Sequence, residues 1–537
     1  MKQIAYRFLA ATSKPHVGTG ALAHVGTGAP ARPSRAKLGS CRQRGGLLVR
    51  HDLLGVALVA LVIGTAVGTT VEAAAETRPH YGGTLRVMQQ SANTLALPTD
   101  AAPSDYWGSV RTLSLIGDTL VKIDALGRPQ PGLAVAWQGD ASARHWQFTL
   151  RRGVKFHDGS AATPEAIAQI LGAIHSGWNV HASVDAVLID NDATVATPPS
   201  MLAELALPRN LLLKRNTSGL PIGTGPFLVA EWQPGKLLRL AANEESWAGR
   251  PFVDAVQIEL GKSLRDQSIA LDLDKTDVIE ALPQVSGSQR RNTSSSLSLS
   301  SSLSLPVELM ALVFPPNSKA QDPRLLQALA LAIDRKPIQS VLLKGAGEAA
   351  AAILPNWMAG YSAVFSAASN PQRARAVLAD SRQPALNLSY DPRDAQAQLI
   401  AERIALNARE VGITVQVSLS GVEDIRLVRV ALPSPDPATS LAEAVRELGL
   451  TVSMPPAAQR GGTLEDLYQA ERGLLEQYAV IPLFHLPLAG APGGRVRGWQ
   501  PDAVGQWGEP GHSLADAWLS DSRLSDSRVD SAAGAPR

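Results

Sequence analysis

At 537 residues the chain exceeds what one hydrophobic core can hold, and its length points to about two to four domains or one large domain with substructure. Its hydrophobic content of 45% is that of an ordinary globular protein, and the ten Trp suit both cores and ligand clefts. Residues 1–75 carry nine Lys/Arg and two acids, which leaves 41 basic and 46 acidic residues beyond them; that mildly acidic body excludes the basic face a nucleic-acid partner requires.

Residues 1–52 contain the repeat HVGTGALA–HVGTGAPA and read as a disordered extension, with a true start near Val49 as an alternative. The 53–75 segment follows Arg50 with LLGVALVALVIG and exits through small residues around Ala73–Ala75. A basic flank, an apolar stretch and small residues make a secretory signal peptide; an uncleaved membrane anchor is the alternative. Cys41 is the only Cys, and no apolar run precedes it, so it is not read as a lipid-attachment site. The body beyond has no disulfide and no thiolate metal ligand.

TLRVMQQS (84–91) reads as a first strand after the Gly82-Gly83 turn, and 119–137 as a short strand, a turn and an apolar segment. Trp146, Phe148 and Leu150 alternate with polar residues, so 145–151 is a half-buried strand. His157-Asp158-Gly159-Ser160 is a tight turn, and Thr163, Pro164 and Glu165 open a helix whose apolar stripe is Ile167, Ile170, Leu171 and Ile174. His157 and Asp158 thus have structural reasons to be where they are, and no third metal ligand lies near them. GTGPF (223–227) enters a strand rather than a helix, which excludes a nucleotide loop; Pro234-Gly235 joins two strands. The Ser/Leu alternation of 294–306 fits a strand with one buried face. Asp322 and Pro323 start a helix, and 386–391, the helix ending at Gly412, and 413–419 form a βαβ unit with parallel pairing. The SDSR repeats of 520–537 read as a disordered tail.

Seven segments resemble, in their order, the extracellular solute-binding proteins of family 5, the peptide/nickel/oligopeptide group that serves ABC importers. They are YGGTLRV (81–87), LIGDTLVKIDALGRPQPGLAVAW (115–137), FTLRRGVKFHDGSAATPEAIA (148–168), PIGTGPFLVAEWQPG (221–235), NEESWAGRPFVDAVQI (243–258), DPRLLQALALAIDR (322–335) and LLEQYAVIPLFHLP (474–487). The resemblance implies an α/β, two-lobed periplasmic-binding-protein-like fold (type II) with an interlobe cleft. Lobe I would take 80–285, completed by 485–520, and lobe II 306–480. It further implies a monomer that traps a peptide or other small solute and passes it to an ABC permease, whose separate ATPase subunits use the ATP. No cofactor, nucleic acid or chemistry on the solute is implied; a membrane-anchored sensor or docking protein with an altered cleft is the alternative.

In relatives that hold a peptide ammonium, a carboxylate precedes an Asp-Pro pair. Here Asp436-Pro437 is the matching pair, while Pro433 stands where that acid is expected. Regions near 175–190 and 420–465 look shortened, which implies a smaller ligand or a degraded cleft. The candidate cleft residues are Asn93, Trp107, Trp357, Tyr361 and Asp436, with Gly223 and Gly225 where backbone passes closely; for the aromatics lobe packing is the alternative, and for Asp436 helix capping. His80, His145, His157, His175, His181, His485 and His512 are scattered without ligand-like spacing, and no GxSxG, HExxH or P-loop motif occurs.

Overall fold

A computed structural model describes residues 79–520, apart from positions 142, 192–199, 281–301, 363–364, 379–383, 395, 451–462 and 501–512. The expectations for the 1–52 extension, the 53–75 segment, Cys41, His512, the tail beyond Ser520 and the 294–301 part of the Ser/Leu tract lie outside the described residues.

Gly82 and Gly83, both at positive φ, turn the chain into strand β1 (Thr84–Met88), where Leu85 and Val87 are buried. Helix α1 (Tyr106–Ile116) follows, then β2 (Ala134–Gly139) and β3 (His145–Leu150). The next turn follows its local chemistry. Gly153 and Gly159 take positive φ, Phe156 N donates to Ser160 O, and Thr163 caps α2 (Pro164–Ile174) by accepting from Ala166 N. Ile167 and Leu171 are fully buried, whereas Ile174 reaches the surface, so the buried stripe is shorter than its sequence suggests. Strands β4 (Trp178–Ala182) and β5 (Ala186–Asn191) complete a four-stranded sheet of order β2-β3-β5-β4, packed around Phe148, Phe156 and Ile189. Strands β6 (Phe227–Gln233), β7 (Leu237–Ala242), β8 (Ala255–Glu259) and β9 (Val278–Glu280) finish this half.

The other half begins with β10 (Ser302–Val313) and α3 (Pro323–Ala332), which Asp322 caps by accepting from Arg324 N. Strand β11 (Leu386–Tyr390), α4 (Ala397–Glu410) and β12 (Val415–Val417) form the expected βαβ unit, with Leu386 and Val415 in parallel register. Strand β13 (Ile425–Ala431), α5 (Pro437–Glu447), α6 (Leu464–Glu476) and the long β14 (Val480–Pro492) follow. Ser304–Pro306 departs from the expected alternation. Ser304 is buried and Leu305 only half-buried, because the ladder to β14 shifts register on either side of Pro306 and the Ser304 hydroxyl accepts from Leu488 N at 2.8 Å.

One eleven-stranded sheet runs through both halves in the order β6-β7-β8-β1-β9-β14-β10-β13-β11-β12, with Glu348–Ala349 paired to β14 off that path. The cores divide on either side of β14. Leu85, Leu113, Phe227 and Val256 pack with Trp499, Leu514 and Ala517, which return to this half after β14. On β10 the two-residue period sends Met310 and Leu312 toward α3 and α4, and Leu309, Ala311 and Val313 toward α5 and α6. Trp137, Trp146, Trp232 and Trp247 pack half-buried against the cores of the first half. The fold is α/β and two-lobed, with β14 and β10 crossing the middle.

Candidate functional site

Between the lobes lies a cavity of about 550 Å³. Lobe I contributes residues 90–92, the start of α1 and the end of β9. Lobe II contributes β10, β11, β13 and the 343–346 turn, and Leu486–Ala489 of β14 lie between. The parallel strand β11 ends at Tyr390, and the turn after it brings Asp391, Arg393 and Asp394 to the lining, at the end of a strand where α/β sheets place ligands.

Charge in the wall is organised into pairs. Arg111, one turn into α1, donates from Nη1 to Glu280 Oε1 at 2.8 Å, and Gln90 N donates to the other oxygen of Glu280 at 2.6 Å. On lobe II, Arg429 Nε donates to Asp394 Oδ2 at 2.6 Å, and its Nη1 to Glu308 Oε2 at 3.3 Å. Burial pushes the Glu308 carboxyl above its ordinary range, with Arg429 pulling the other way. Burial works against the charge on Arg429, and Asp394 and Glu308 outweigh it. Asp105, at the entrance to α1, is 7% exposed. Its Oδ1 accepts from Ser91 Oγ at 2.9 Å and Ala92 N at 3.0 Å, while its Oδ2 accepts from Arg393 Nη1 of lobe II at 3.1 Å. Trp107 borders the cavity and packs with Val110 against Val307 and Ala431 across the lobe boundary.

Of the seven candidate residues, Trp107 lines this cavity; the other six lie outside its lining. Asn93 is exposed and its carbonyl accepts from Ser109 Oγ. Gly223 and Gly225 do mark a close backbone approach, but to α1: a Cβ on Gly223 would stand 2.1 Å from Ile116 O, and one on Gly225 2.7 Å from the Ile116 carbonyl carbon. Trp357 Nε1 donates to Pro306 O at 2.9 Å, and the Tyr361 hydroxyl donates to Glu471 at 2.7 Å, so both are tied into lobe II. Asp436 caps α5 by accepting from Thr439 N at 2.8 Å. His157 is likewise held in its turn: Nδ1 accepts from Gly223 N, Nε2 donates to Gly225 O, and burial lowers its pKa. Asp158 is drawn down to a pKa of about 2 by Lys214 at 2.8 Å. Among the described residues no group of three or more His, Cys, Asp and Glu is placed to hold a metal ion. The charged lining residues were not singled out from sequence. The available signals were Arg429 inside the apolar run IRLVRVA and the DPRD turn directly after LNLSY.

The sequence profile of bacterial extracellular solute-binding proteins, family 5 Middle, matches residues 128–424. A probable di/tripeptide-binding protein of Pseudomonas aeruginosa (strain UCBPP-PA14) is 26% identical over 393 residues, covering 61% of this chain and 72% of that one. The nickel-binding periplasmic protein of Escherichia coli (strain K12) is 26% identical over 356 residues, covering 58% of this chain and 66% of its own length. Among solved structures, a periplasmic binding protein from Helicobacter pylori in complex with a peptide superposes with a TM-score of 0.68 at 16% identity, covering 82% of this chain and 99% of that one. The murein tripeptide binding protein of Escherichia coli does so at 0.67 and 16%, with the same coverage. The profile match over more than half of the chain, on a two-lobed fold with a cavity between the lobes, places this protein in the family 5 bacterial extracellular solute-binding proteins.

Proposed function

We propose that this protein captures a small solute, in the size range of a short peptide, between its lobes and delivers it chemically unchanged to an ABC permease. The cavity itself carries the reading: about 550 Å³, walled by both lobes, with an ion pair reaching from one to the other. Six carboxylates and five cationic side chains line it, so the wall is nearly balanced in charge and suits a solute with groups of both signs. A ligand touching both lobes stabilises the closed arrangement through contacts the open one lacks. Di- and tripeptides are the class bound by the Pseudomonas relative's name, and they fit the volume. The protein acts as a monomer, and no covalent step is needed.

No helix among the described residues is long and apolar enough to cross a membrane. The anchored-sensor alternative depends on the 53–75 segment, which lies outside them. Mass spectrometry of natively purified protein, followed by titration of the released compound, tests the reading. A stoichiometric small molecule that rebinds and raises the melting temperature is expected. A natively purified protein with no bound solute, unresponsive to peptides, sugars and metal ions, would overturn it.

A further inference from the structure

If solute capture is correct, one lining carboxylate is distinguished by being buried, fixed by donors of its own lobe and met by a half-exposed cation of the other. Glu280 is engaged by Gln90 N, Arg111 and Gln267. Asp394 receives Arg429 and two backbone N–H groups, from Gln396 and Ala397. Glu308 is buried against Arg429, Asp391 is held by Arg393 of its own lobe, and Glu423 is half-exposed beside Arg426. Asp105 differs. Its Oδ1 is fixed by Ser91 and Ala92 from its own lobe, whereas its Oδ2 is met by Arg393, which belongs to the opposite lobe and whose side chain is 52% exposed. A buried carboxylate oriented by two fixed donors is a preorganised acceptor for a cation. The guanidinium now on it comes from a half-exposed side chain that also bonds Asp391 and so keeps a partner when it leaves.

We propose that Asp105 is the subsite for a cationic group of the solute, an ammonium or guanidinium, and that Arg393 occupies this subsite as a resident stand-in until the solute displaces it. The proposal rests on the solute-capture reading and sharpens it.

Calorimetric titration of the full chain with trialanine, N-acetyl-trialanine and 1,4-diaminobutane tests this. Trialanine or diaminobutane should bind the wild type, and acetylation should weaken trialanine by about tenfold or more. Asp105→Asn should impose a similar loss and erase the difference between free and acetylated peptide. Arg393→Gln should bind the cationic probes as tightly or more tightly, because a competitor has been removed; a tenfold weakening in that variant would overturn the proposal whether or not Asp105→Asn folds. Equal affinity for free and acetylated trialanine would overturn the cation subsite and leave solute capture standing. Binding of diaminobutane alone, with the same dependence on Asp105, would support the subsite and remove peptides as its ligands. Failure of all three probes to bind the wild type would overturn it.

Discussion

At the scale of single residues, the lining shows what a polar group is free to do once its structural obligations are counted. Asp436 has its carboxylate on Thr439 N. Asp436→Ala should therefore cost about 1 kcal/mol in urea denaturation, as loss of a helix cap does, and leave solute affinity unchanged. A tenfold loss of affinity would return it to the site. Arg429 stands at the other extreme. It holds Asp394 and Glu308 together inside the cavity wall, and removing one partner of a buried pair leaves uncompensated charge. Arg429→Ala should lower stability by about 3–5 kcal/mol, read as a fall in the denaturation midpoint at constant slope. Residues such as these were hard to see in the sequence because their partners are remote. Arg393 and Asp105 stand 288 positions apart, Arg111 and Glu280 169, and Arg429 and Glu308 121. The aromatic candidates Trp357 and Tyr361 are ambiguous for the matching reason: a large ring with a polar tip looks alike in sequence whether that tip meets a ligand or, as here, Pro306 and Glu471.

At the scale of elements, local chemistry was largely readable. Thr163, Asp322 and Asp436 each cap the helix that a following Pro opens, and the βαβ unit at 386–417 has the expected parallel register. Ser304 was not readable, because its burial follows from a register shift against β14 nearly two hundred residues away. His485, on β14, supplies a test at this scale. Its Nε2 faces Ile353 O at 3.0 Å, and burial holds its pKa down at about 4, against 6.5 ordinarily. The folded state therefore binds this proton less readily than the unfolded chain. The stabilisation is complete above about pH 6.5 and is lost as pH falls toward 4, by up to about 3 kcal/mol. Denaturation midpoints should drop between pH 7 and pH 4.5, and His485→Gln should remove part of that drop. An identical pH dependence in the variant would sink the assignment.

At the scale of the whole molecule, the lobes are tied together at more than one place. Beyond the cavity, Arg209 of lobe I reaches Glu443 of α5 at 2.5 Å, with Glu204 on its other side, and both side chains of this interlobe pair are largely buried. Glu443→Gln should favour the open arrangement, seen as a larger radius of gyration in solution scattering without solute and a several-fold weaker solute affinity. Unchanged scattering would make the pair a bystander. Trp107 lies on the lobe boundary, so its fluorescence should respond when a solute closes the cleft, and Trp107→Phe should remove most of that response.

The path of β14 has a consequence for how such a molecule is put together. Its residues pair with β9 of one lobe and β10 of the other, and the segment after it supplies Trp499, Leu514 and Ala517 to the core around Leu85. The half begun earliest is thus finished by nearly the latest residues. A chain emerging from its amino end cannot seal that half until some four hundred more residues have followed. During that wait the outer edge of β9, which β14 later pairs, stands unclaimed, so a halted or clipped chain should be a ready substrate for holdases and proteases, whereas its completed counterpart is not.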